Sequence, residues 1–149
     1  MPRPPLRALS LLFLLFIPGF AQAGEDDADN STKVTATVKL PAELASFAES
    51  TLELRLYEFD PRLADAAANL VEKIEEVGFS HTSGTATERK IEIGAKGELK
   101  RGRGYYLTTF VLKGSGRTHI GERDGKPGLC KVLTDGNPRE VTIVVRAVR

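Results

Sequence analysis

From Lys33 onward, apolar and polar residues alternate along much of the chain. Val34, Ala36, Val38 and Leu40 alternate with Thr35, Thr37 and Lys39. A period of two is that of a strand with one face in a core. Pro41 ends the run. Leu52, Leu54 and Leu56 alternate with Glu53, Arg55 and Tyr57, and Asp60-Pro61 stops this second strand, since proline restricts the residue before it and donates no ladder bond. Arg89–Ile93 alternates again. Tyr105–Leu112 (YYLTTFVL) is rich in aromatic and β-branched residues, as a central strand covered on both faces would be. Gly114-Ser115-Gly116 predicts a tight hairpin into a strand over 117–121. Asp124-Gly125 predicts another turn, Leu129–Leu133 a short strand, and Asp135-Gly136-Asn137-Pro138 a turn before a final strand through Val141, Ile143 and Val145.

One stretch has two readings. Leu63, Ala66, Ala67, Leu70, Val71, Ile74 and Val77 fall at helical spacing in alanine-rich sequence. Gly78-Phe79 and the surrounding strands also allow an irregular or one-turn helical segment near 62–67, followed by a strand over about 70–77. With that segment counted as strand, the pattern predicts an all-β fold: an antiparallel β-sandwich of about seven or eight short strands, Ig-like or transthyretin-like in shape.

The N-terminus follows a different pattern. Arg3 and Arg7 precede Ala8–Ile17, an apolar run interrupted only by Ser10, then Pro18-Gly19 and Ala21-Gln22-Ala23. This is the layout of a secretory signal cleaved after Ala23. The run is about half the ~20 apolar residues a spanning helix needs. Residues 24–32 (GEDDADNST) are acidic with one apolar residue, and read as a disordered linker. Residues 33–149 then form one β-sandwich domain. The expected product is periplasmic or secreted, soluble after cleavage, and in contact with a membrane only during export.

Composition narrows the functions. The chain has 149 residues, a formal net charge of +1, one Cys, one Met and no Trp. Removing residues 1–23 takes away two arginines and no acid, so the domain carries a net charge of −1 and no methionine. Such a balance argues against nucleic-acid binding. A single Cys excludes an internal disulfide and a Cys-based structural zinc site.

Few residues offer chemistry. His81, His119 and Cys130 could together ligate copper or zinc. No histidine follows Cys130 to complete a blue-copper pattern, and lone histidines on strands are mostly solvated. Cys130 beside Val132 reads as a small buried hydrophobe. Ser115 lacks the strand–turn–helix setting of a nucleophile elbow. Glu75 and Glu76, being adjacent, point to opposite faces of a strand and form no acid/base pair. Lys100 and Arg101, with Lys96 and Arg103, surround Gly97, Gly102 and Gly104; a basic glycine-rich turn can hold an anion. Tyr57, Tyr105 and Tyr106 are the aromatic candidates for a binding face, and Tyr106 joins Lys100, Arg101 and Arg103 as a candidate anion or partner contact.

The order Val34-Thr35-Ala36-Thr37-Val38, then Leu54–Phe59 (LRLYEF) with Leu63-Ala64-Asp65-Ala66, then Tyr105-Tyr106-Leu107, then Thr142–Val145 (TIVV) resembles the YbaY-like family, grouped with the YscW lipoprotein chaperones (pilotins) of type III secretion. The resemblance spans most of residues 33–148 and is carried by short hydrophobic strand patterns. It implies a small β-sandwich outside the cytoplasm, with a binding or chaperone role, no catalytic residues, and a strand over 70–77. The chain departs from the lipoproteins in carrying Gly24 where they carry the lipidated Cys. Ser80–Thr85 and Arg117–Leu133 have no counterpart in the family pattern. The reading is therefore a non-enzymatic exported β-sandwich without cofactor that binds another envelope or secreted protein. The alternative is a periplasmic copper or zinc protein using His81, His119 and Cys130.

Overall fold

The computed structural model describes residues 29–148; the expected signal over 1–23 and most of the acidic segment lie outside the described residues. Nine strands run in chain order: β1 (Val34–Leu40), β2 (Phe47–Phe59), β3 (Asn69–His81), β4 (Thr87–Ile93), β5 (Gly104–Lys113), β6 (Gly116–Arg123), β7 (Lys126–Pro127), β8 (Cys130–Val132) and β9 (Glu140–Ala147). The described residues contain no helix, and the all-β expectation holds. Residues 62–67 form consecutive turns instead of a helical turn: Leu63 N–H donates to Asp60 O, and Ala66 N–H to Leu63 O.

The strands form one sheet in the order β3-β2-β5-β6-β9-β1-β4, folded so that its two halves face each other. Strand β5 makes the fold possible by changing partners. Its first half (Tyr105–Leu107) pairs with β8 and its second (Phe110–Lys113) with β6. Every pair is antiparallel except β1 with β9, which run parallel. Asp124 and Gly125 both hold positive φ, 52° and 72°, the backbone of the two-residue hairpin between β6 and β7.

The core follows from the alternation. Val34, Ala36, Val38 and Leu40 of β1 are fully buried, and with Leu54 and Leu56 of β2, Tyr105 and Leu107 of β5, and Val141 and Ile143 of β9 they supply most of the apolar interior. Leu52, Phe79, Val111 and Val145 continue it toward the other end. Ser31 and Thr32, which composition assigned to the linker, belong to the domain. Ser31 bridges Glu98, Thr32 N–H donates to Gly97 O at 2.9 Å, and its buried hydroxyl donates to Gly94 O at 2.7 Å.

The ambiguous stretch is a strand. Ile74 of β3 lies opposite Leu54 and turns toward the core, while Val77 lies opposite Thr51 and is 81% exposed. Glu72 and Glu76 share the Ile74 face but reach the seam where β3 and β4 come together. Arg89 Nε donates to Glu76 at 3.2 Å, the Arg89 guanidinium covers the Phe79 ring at 5.5 Å, and Gly94 N–H donates to Glu72 at 2.5 Å. Charged side chains thus occupy both outer edges of the sheet, a common guard against edge-to-edge association.

Candidate functional site

At one end of the sandwich the last residues of β2 part company. Alternation sends Glu58 inward and Tyr57 and Phe59 outward, onto the face they share with β5. Tyr57 lies opposite Tyr106, and the two rings stack at 5.1 Å with an interplanar angle of 22°. Phe59 lies opposite Gly104 and meets Tyr106 at 5.8 Å. The glycine is required sterically, because a Cβ there would overlap the Phe59 ring. An aromatic floor results. Pro61, Leu63 and the alanines of the 61–68 loop wall it on one side and Leu129 on the other, with Lys131 of β8 directly opposite Tyr106. The groove measures about 330 Å³. Leu63 and Leu129 are 57% and 58% exposed, so this apolar lining faces solvent instead of a core.

A charged cluster beneath the groove holds its wall in place. Asp60 is buried and accepts three bonds from Arg62, from the backbone N–H (3.0 Å), Nε (2.9 Å) and a terminal nitrogen (2.7 Å). Arg103 approaches the same carboxylate at 3.1 Å. The hydrogen bonds from Arg62, then the charges of Arg62 and Arg103, hold the Asp60 carboxyl well below the usual carboxylate range. Glu58, also buried, pairs with Lys100 at 2.9 Å and with Arg103 at 3.7 Å. The Tyr105 hydroxyl accepts from Lys100 N–H at 3.0 Å and donates to Glu58 at 3.5 Å. Two buried acids thus tie the 61–68 loop and the 99–103 turn to the end of the sheet. Since loop residues make few core contacts of their own, these bonds position Leu63.

This arrangement separates the four residues grouped as an anion or partner contact. Lys100 and Arg103 are engaged by Glu58 and Asp60. Arg101 is exposed and takes part in none of the ion pairs among the described residues. Tyr106 stands apart from all three, in the groove floor.

His81, His119 and Cys130 are divided between the two ends. His81 and His119 flank Phe47 at the far end of β2, with ring centroids 5.8 and 4.8 Å from it. His81 Nδ1 lies 3.0 Å from Thr87 Oγ1, and His119 Nδ1 lies 2.9 Å from Thr118 Oγ1. Burial, then the neighbouring His81, pushes the His119 pKa down. Cys130 instead lies opposite Leu107, in the core cluster that contains Tyr105 and Ile143, and burial pushes its thiol up. Among the described residues, no three His, Cys, Asp or Glu side chains gather into a metal-holding set.

The sequence drew attention to Tyr57 and Tyr106 but not to Phe59, Leu63 or Leu129. The part of the signal present in the sequence was an aromatic residue, Phe59, next to a proline-bounded loop carrying a lone leucine, Leu63; its register with Gly104 is set by the pairing of β2 with β5.

No family model and no curated protein matches the chain. Among solved structures, it is similar in fold to an alternative pilotin from the type II secretion system of Vibrio cholerae. The TM-score is 0.56 at 16% sequence identity, covering 78% of this chain and 96% of that one. At this identity the likeness establishes a shared fold alone.

Proposed function

We propose that the protein is an exported envelope component that works by holding a protein partner, and that the Phe59–Tyr106 groove is where the partner is held. The observation that carries this reading is an apolar, aromatic-floored groove left open to solvent on a domain whose core is otherwise closed. Exposed concave apolar surface of this kind marks interaction sites. The groove is pre-formed, since the bonds made by the buried carboxylates of Glu58 and Asp60 hold its wall. The fold it shares with a type II secretion pilotin supports a partner within a secretion assembly. Export rests on the apolar run Ala8–Ile17 and the small residues before Gly24. The groove suits a partner better than the sheet edges do, because Glu76 and Arg89 bridge the β3–β4 seam where an extended strand would have to add.

Site-specific photo-crosslinking in the native cell tests this. A benzoylphenylalanine at Leu129 or Leu63 is expected to give a discrete higher-mass adduct in the envelope fraction. The same probe at Val77, which is exposed but remote from the groove along β3, is expected to give none. Identical adducts from all three positions, or none from the groove positions, would reject the assignment.

A further inference from the structure

The groove does not end at Leu129. On the other side of that residue lies a second hollow of about 450 Å³, bounded by Arg123, Asp124, Lys126, Pro127 and Asn137, and the two share Leu129 and Lys131 as a common ridge. We propose that the two hollows form one bipartite docking surface, for a segment of a partner protein in which apolar side chains are followed or preceded closely by carboxylates. This rests on the partner-binding reading of the groove and specifies the chemistry of the partner.

The charges carry the argument. Two charged residues line the groove, Asp60 and Lys131. Asp60 is occupied by Arg62 and Arg103, whereas Lys131 takes part in no ion pair among the described residues. The second hollow is lined by Arg123, Lys126 and Lys131 against the single carboxylate of Asp124. Arg123 takes that carboxylate at 3.3 Å, so Lys126 and Lys131 remain uncompensated. Arg123 also donates to the Lys131 carbonyl at 3.0 Å, which fastens the strand bearing Lys131 against the β6–β7 hairpin. The ridge is therefore held in place, with Leu129 and Lys131 lining both hollows and Lys126 the second alone. An apolar segment alone would leave both lysines unmatched, and a basic one would be repelled. The surface is concave and sized for a few side chains. Its two free lysines fall short of the roughly four to eight basic residues by which proteins usually hold anionic bilayers.

The test is selection of random dodecapeptides displayed on phage against the immobilised full chain, in three forms: wild type, Leu129→Ser, and the double variant Lys126→Glu/Lys131→Glu. Circular dichroism first confirms that each form is folded. The wild type is expected to enrich peptides with Asp or Glu next to apolar residues, and the charge-reversed form to enrich Lys or Arg at the same place. A peptide selected on the wild type should bind the charge-reversed form about tenfold more weakly or worse, and keep its affinity for Lys126→Arg/Lys131→Arg. Apolar peptides without charge bias, still dependent on Leu129, would overturn the bipartite proposal and leave the groove reading standing. Absence of any enriched peptide that depends on Leu129 would overturn both. Pelleting with phosphatidylcholine–phosphatidylglycerol vesicles, abolished by the charge reversal and with no acidic consensus among the peptides, would overturn the proposal in favour of a lipid surface.

Discussion

Ile74 and Val77 lie three residues apart and separate the two readings of residues 70–77 cleanly. In a helix they would share one face with Leu70, and both would be buried. In β3 they point opposite ways, Ile74 toward Leu54 and the core, Val77 into solvent at 81% exposure. Changing each to threonine keeps β-branching and strand propensity, so burial alone distinguishes the two variants. Ile74→Thr removes about two buried carbons, at about 0.8 kcal/mol each when fully buried. It also places a hydroxyl against apolar neighbours, for about 1 kcal/mol or more. Ile74 is only partly buried at the sheet edge, which scales the sum to about 1.5 kcal/mol. Val77→Thr is nearly isosteric and exposed, and should stay within about 0.5 kcal/mol of wild type. With an m-value of about 2 kcal/mol per molar urea, the midpoint falls by about 0.7 M for Ile74→Thr and by less than about 0.25 M for Val77→Thr. Equilibrium urea unfolding followed by far-ultraviolet circular dichroism measures both. A midpoint loss for Val77→Thr equal to that for Ile74→Thr would refute the strand assignment and the register with β2.

Three further outcomes follow from the packing. Gly104→Ala drives a methyl group into the Phe59 ring; it is expected to cost about 1–3 kcal/mol as overpacking and to abolish the Leu129 crosslink, and an intact crosslink at unchanged stability would show that the floor tolerates the methyl group. The His119 pKa is depressed in the fold, so the unfolded chain binds more protons than the folded one below roughly pH 6.5 and stability falls as pH drops through that window. Urea midpoints at about pH 7.5 and pH 5.5 should show the decline and His119→Gln should flatten it, because most carboxylates titrate lower; an unchanged slope in the variant would assign the decline to other groups. Cys130, buried and with its thiol pushed up, should react with Ellman's reagent only after urea is added, and rapid stoichiometric reaction of the folded protein would contradict its place beside Leu107.

Most strands were legible because their residues alternate between a wet face and a dry one, and alternation is a local property. Val34 to Leu40, Leu52 to Leu56 and Val141 to Val145 appear in the fold as the pattern predicts. The hairpins at Gly114–Gly116 and Asp124-Gly125 were legible because Gly114 and Gly125 hold the positive φ that glycine adopts most readily. Residues 70–77 were not, since alanine-rich sequence and apolar spacing satisfy a helix as well as an edge strand. Only the ladder to β2 resolves the matter, and that ladder is a contact between distant parts of the chain.

The candidate site shows the same division. Sequence alone established the β class, the apolar N-terminal run, the near-neutral charge and the short inventory of reactive side chains. It could not show that Lys100 and Arg103 are consumed by Glu58 and Asp60 while Arg101 is left out, or that His81 and His119 meet at Phe47 while Cys130 stands with Leu107. Nor could it show that Phe59, Leu63 and Leu129 converge on Tyr106. Alternation tells which face of a strand is dry, but which strands stand side by side depends on how β5 divides its pairing between β6 and β8. That pairing reflects the closure of one sheet around a shared core, a property of the whole chain that no local window contains.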